Sequence, residues 1–148
     1  MSDQVECRSS NKQILETARS RLLDGFADVE VATIGLQGRL GLKPNGASLG
    51  HRLEALRKLI AKGELEGAIA TELKRHTDRL SQLNEIRGDI VHARMHVAQM
   101  AGQARAWFIN SRECEAQYPS SRVLSVEQFA SLNKELAELK SALTKLAS

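Results

Sequence analysis

The sequence predicts an all-α protein: an up-down bundle of four main helices, with room for one small β-hairpin after the third. Three observations predict it. Leucine and alanine, with 20 and 18 copies among 148 residues, supply most of the apolar bulk, and both are strong helix formers. Apolar residues recur in steps of three and four over long stretches, the period of one helical face. Aromatic residues number five (Phe26, Trp107, Phe108, Tyr118 and Phe129). This length predicts one domain over residues 1–148, and a chain of this size buries roughly 68–70% of its unfolded surface, enough to fold without metal or disulfide staples.

The first helix is expected to start at Ser10-Asn11-Lys12-Gln13, which matches a capping box. Behind it runs an apolar stripe at Leu15, Ala18, Leu22, Phe26, Val29, Thr33, Leu36 and Leu40. Gly25, Gly35 and Gly38 weaken it locally, and the turn cluster Leu42-Lys43-Pro44-Asn45-Gly46 must end it. Ser48 caps a short second helix with Leu49, Leu53, Leu56 and Ile60 inward and Gly63 as its left-handed stop. A longer third helix starts near 64–67 and buries Ile69, Leu73, Leu80, Leu83, Ile86 and Ile90.

Beyond His92 the pattern changes. Met95–Gln99 and Ala104–Asn110 read as two short strands joined across Met100-Ala101-Gly102-Gln103, with a helix continued through Ala104 as the rival. Cys114–Arg122, with Pro119, Ser120 and Ser121, reads as a surface loop. The last helix opens on a second capping box, Ser125-Val126-Glu127-Gln128, flanked by Leu124 and Phe129 at the two positions of a hydrophobic staple. Phe129, Leu132, Leu136, Leu139, Leu143 and Leu146 then form a heptad-like seam, suited to core or to another subunit.

Composition and motif inventory exclude several classes. No apolar run approaches the roughly 18–20 residues of a membrane span, and the first residues, Met1-Ser2-Asp3-Gln4-Val5-Glu6-Cys7, do not read as a secretory signal. Cys7 and Cys114 belong to no CxxC pair, so both are expected as free thiols in a reducing, cytoplasmic setting. Twenty-one Lys and Arg against 18 Asp and Glu is no nucleic-acid signature by itself. The few aromatics argue against a single-strand binder built on base stacking. There is no phosphate-cradling glycine loop, nucleophile elbow or HExxH, and no cofactor is called for.

The segment that carries chemistry is Leu83-Asn84-Glu85-Ile86-Arg87-Gly88-Asp89-Ile90-Val91-His92-Ala93. On a straight helix, five steps of about 100° turn His92 roughly 140° from Arg87, so one protomer cannot set the two squarely face to face. Arg87 falls beside Leu83 and Ile90; Glu85, Asp89, His92 and His96 share the opposite, polar side. Each has a plain structural reading. Arg87 could pair with Glu85, Glu30 or a carboxylate of another helix, and His92 could cap a helix C-terminus. Asp89, His92 and His96, spaced three and four apart, could hold a divalent metal, but a solvated polar face is the simpler reading and no metal site is assigned. His51 and His76 read as structural. The basic run Arg52, Arg57, Lys58, Lys62, Lys74, Arg75 and Arg79 is interleaved with Glu54, Glu64, Glu66, Glu72 and Asp78, which makes a solvated helix face the default over an RNA track.

Arg87 and His92, with four residues between them and Ile90-Val91 just before the histidine, resemble the signature of the HEPN superfamily, small α-helical domains that are often dimeric ribonucleases of toxin, defence and RNA-processing systems. The resemblance implies a homodimer in which two protomers bring two arginines and two histidines to one cleft. It implies RNA as substrate; a cognate antitoxin or another protein is the partner under a non-catalytic reading. In that site an arginine fork binds the scissile phosphate, and a histidine takes the ribose 2′-hydroxyl proton or protonates the leaving 5′-oxygen. The product is a 2′,3′-cyclic phosphate, made without metal. One departure bears on activity: position 88 is glycine where catalytic members place a polar residue, a group either missing here or moved to Asp89. The rival is a non-catalytic helical module that binds a nucleotide or a protein.

Overall fold

The computed structural model describes residues 2–43, 48–110 and 121–148, without the side chains of 2–7 and 110. Pro44, Asn45 and Gly46 of the expected turn, the Cys7 side chain, Cys114, Tyr118 and Pro119-Ser120 lie outside the described residues. The chain is mostly helical: α1 (Ser2–Arg39), α2 (Leu49–Ala61), α3 (Gly67–His92) and α4 (Val126–Leu146). Between α3 and α4 come three strands, β1 (Ala93–Met100), β2 (Gln103–Asn110) and β3 (Ser121–Leu124), in one antiparallel sheet of order β1-β2-β3. Two compact units divide the chain.

One unit comprises residues 1–24 and 87–134. Here α1 departs from the expected start, running through Ser10 rather than beginning there. Nothing between residues 2 and 10 is proline or glycine, so the helix is not interrupted and the Ser10 box is left unused; a capping sequence permits a start but does not impose one. The expected hairpin is present, longer than predicted, and is joined by a third strand. Phe108 pairs in register with Met95 on one side and Arg122 on the other. Ala101 (φ 52°) and Gly102 (φ 76°) form its two-residue turn, the double left-handed conformation whose twist matches that of paired strands. β3 takes Ser121 and Arg122 out of the expected loop.

Alternation divides the sheet. Ala93, Ala106, Phe108 and Leu124 are buried on the inner face, along with Leu15, Leu22, Ile90 and Phe129 of this unit. Phe108 and Phe129 meet edge-on, with ring centroids 6.4 Å apart. The outer face carries Arg94, His96, Arg105 and Trp107. The second capping box is formed reciprocally: the Gln128 N–H donates to Ser125 Oγ at 3.2 Å, and the Ser125 N–H donates to Gln128 Oε1 at 2.8 Å.

The other unit comprises residues 25–86 and 135–148. Most of its buried residues follow the predicted stripes: Phe26, Val29, Thr33 and Leu36 on α1, Leu49, Leu53 and Leu56 on α2, Leu73, Leu80 and Leu83 on α3, and Leu136, Leu139 and Leu143 on α4. Ile60 and Ile86, expected inward, are only half-buried, and Leu59 is buried in place of Ile60. Ile69, expected inward, is exposed, because it stands in the first turn of α3. Ser48 caps α2, and Gly63 (φ 72°) closes it with a hydrogen bond from its N–H to the Ile60 carbonyl at 3.1 Å. No helix among the described residues is long and apolar enough to cross a membrane.

Candidate functional site

The three residues expected to carry chemistry stand in the last turns of α3, in the first of the two units. Arg87 is half-buried and His92, the final helical residue, is exposed, as their positions about 140° apart on the helix require. Both side chains are engaged within the chain. Asp89 is paired: Arg122 of β3 donates Nε–H to its Oδ2 at 2.8 Å, with both side chains about a third exposed or less. That bond ties the shortest strand to the motif helix. A Cβ built on Gly88 meets nothing within 4 Å, so the position has room for the polar side chain that the HEPN pattern places there.

His96 is not on the helix. α3 stops at His92 and β1 starts at Ala93, because the hairpin claims its partner residues from that point; His96 pairs with Trp107, their ring centroids 6.4 Å apart and tilted by 59°. The helical face expected to join Asp89, His92 and His96 therefore does not exist. Among the described residues no group of three or more His, Cys, Asp or Glu is placed to hold a metal ion. No family model, no curated protein and no solved structure matches the chain.

Four of the seven basic residues of the α2–α3 run are partnered in place. Arg52 is buried, donating to Gln37 Oε1 at 3.1 Å, with Glu30 at 3.8 Å. Arg57 reaches Asp78 at 3.5 Å and Ser81 Oγ at 2.7 Å, and Lys74 reaches Asp78 at 2.7 Å. Arg79 forks onto Glu135, with Nη2 at 2.7 Å from Oε2. That fork holds the Glu135 carboxyl below the usual carboxylate range and raises Arg79, while the Lys74 hydrogen bond lowers Asp78. His51 bonds Ser48 Oγ through Nδ1 at 2.8 Å, and His76 is buried 3.5 Å from Glu72.

Sequence reasoning missed a second basic group. Arg8, Lys12, Glu16 and Arg19 of α1, with Arg94 and His96 of β1, line a cleft of about 830 Å³. The spacing of four, four and three along α1 was readable as one helical stripe; that β1 would supply the facing wall was not.

Proposed function

We propose that the protein is a HEPN-like, metal-independent endoribonuclease that works as a homodimer. This reading takes the four helices as the up-down bundle of that superfamily and Arg87 and His92 as its reactive pair. The observation that carries it is the placing of His92, exposed at the very end of α3 and five residues beyond a half-buried Arg87. An imidazole there stands at the solvent side of the helix end, while the guanidinium sits at its more shielded side. Because the two diverge around the helix, a complete site takes Arg87 and His92 from two copies related by a twofold axis.

In that site Arg87 grips two phosphate oxygens and offsets the charge that builds up in the transition state. One histidine removes the ribose 2′-hydroxyl proton as the oxygen attacks phosphorus; the second protonates the departing 5′-oxygen. The products are a 2′,3′-cyclic phosphate and a 5′-hydroxyl, and DNA, lacking the attacking hydroxyl, is left intact. The test is cleavage of single-stranded RNA in EDTA by the wild type, Arg87→Ala and His92→Ala. Loss of general acid–base catalysis lowers the rate by about 10²–10⁴-fold in the histidine variant. Equal rates in all three proteins would remove the pair from the mechanism.

A non-catalytic module that binds a nucleotide, a cognate antitoxin or another protein is the second reading. The Asp89–Arg122 bond and the glycine at position 88 favour it, since neither nearby polar position is then free to serve chemistry. It predicts no cleavage, together with a lower melting temperature in both alanine variants.

A further inference from the structure

We propose that the cleft between α1 and β1, continued onto the outer face of the sheet, is a binding surface for a single strand of RNA, with phosphates held in the cleft and a base stacked on Trp107. The surface lies wholly within the first unit. Four cations line the cleft, Arg8, Lys12, Arg19 and Arg94, against one carboxylate, Glu16. Glu16 lies 3.8 Å from Lys12 with both side chains more than half exposed, so it neutralises that lysine only weakly. Arg19 is fixed in place: its Nη2 donates to the Ile90 carbonyl at 2.9 Å, and its guanidinium carbon stands 5.8 Å from the Phe108 ring centroid. These contacts orient the charge without cancelling it, and among the described residues no carboxylate pairs with Arg8, Arg19, Arg94 or Arg105. From Arg8 to Arg19 the α1 stripe is about 16 Å long, at 1.5 Å per residue.

Arg94 and His96 belong to the cleft and to the outer sheet face at once. On that face Trp107, the single tryptophan of the chain, is 39% exposed. Its neighbour His96 is tilted against it by 59° rather than stacked on it. The outward positions of the three strands, which also include Ala98, Gln103, Ile109, Ser121 and Val123, carry no aspartate or glutamate. A second copy docked on this face would set Arg94 and Arg105 against their own equivalents, whereas a polyanion complements them. Five aromatics are too few for a strand held mainly by stacking, so the ion pairs to the backbone do most of the holding and Trp107 adds one stacked base.

RNA rather than DNA as occupant rests on the proposed ribonuclease reading. Binding is therefore measured in the full-length His92→Ala protein, which separates it from cleavage. A 12-nucleotide RNA, the DNA of the same sequence and an RNA duplex are titrated while the fluorescence of the single tryptophan is followed. The RNA strand quenches that emission and binds tighter than the duplex. Its log K falls with log salt at a slope of about −2 to −3, the value for three or four phosphates on a single strand. Trp107→Ala weakens binding about tenfold or more, and Trp107→Phe restores most of it. Arg94→Gln flattens the salt slope by about 0.7. Unquenched emission, or equal affinity of the Trp107→Ala protein, overturns the platform; equal affinity for DNA overturns the assignment to RNA. Tryptophan-dependent RNA binding by a protein that cuts no RNA would sustain the surface while ending the nuclease reading.

Discussion

Three single positions in and around the sheet separate structural from chemical roles. Asp89 was singled out in the sequence for chemistry, and the fold uses it to hold Arg122. Asp89→Asn keeps the shape, weakens a charge-assisted bond and should cost about 1.5 kcal/mol, or about 3–6 °C of melting temperature in a chain this long. Cleavage per folded molecule should stay within a few-fold of wild type, which a melting curve run beside the RNA assay will show. Gly88 has open space around its missing Cβ, so Gly88→Asn should fold unchanged by circular dichroism. Under the nuclease reading it also raises the cleavage rate. Ala101, at φ 52° in the hairpin turn, holds a backbone conformation that L-residues disfavour. Ala101→Asn should stabilise the protein by about 0.5–1 kcal/mol, read as a higher midpoint in urea.

At the scale of elements, what was legible in the sequence was what short-range chemistry decides. The Ser125–Gln128 box, the Ser48 cap, the Gly63 stop and the Ala101-Gly102 turn depend on residues a few positions apart, and all formed where they were expected. The Ser10 box failed because no helix breaker stands ahead of it, so α1 continued back to Ser2. β3 was hidden for a different reason. Four residues carry little period-two signal, and its partner, β2, is not adjacent to it in the sequence. His96 was misplaced by the same non-local event, since the end of α3 is set by strand pairing rather than by a stop residue. One pairing between α3 and α4 makes a pH prediction. Arg79 holds Glu135 ionised below the usual range, so the unfolded chain binds that proton more readily than the folded one. The stabilisation is complete above the ordinary carboxyl value of 4.5 and fades as pH falls through the lowered folded value. Partial exposure keeps it to about 1 kcal/mol or less. Melting temperatures taken from pH 7 down to pH 3 should fall less steeply for Glu135→Gln than for wild type.

The whole molecule, under the proposed function, is a composite of two chains, and that has a direct consequence. Arg87→Ala and His92→Ala are each inactive alone. Mixed and allowed to exchange, they form heterodimers whose cleft holds one arginine and one histidine, from different copies, where each homodimer lacks one residue type altogether, so part of the wild-type activity should return. Recovery measured after mixing would tie activity to assembly, whereas no recovery despite exchange seen by native mass spectrometry would oppose a shared site. A sequence can name the residues of such a site but not their meeting, because the twofold operation is not written in the spacing of any one chain. The sheet adds a second whole-molecule property. Among the described residues β1 pairs only with β2, so an eight-residue strand bearing the exposed Val97 and Met100 presents an open row of peptide groups to its surroundings. Arg94, on that strand, guards the row by repelling its own kind in a neighbouring molecule. Ions thin that repulsion over about 3 Å at molar strength. Concentrated salt should therefore turn a clear solution of this protein cloudy with thioflavin-positive aggregates, and exchanging Arg94 for glutamine should bring the clouding on at lower ionic strength.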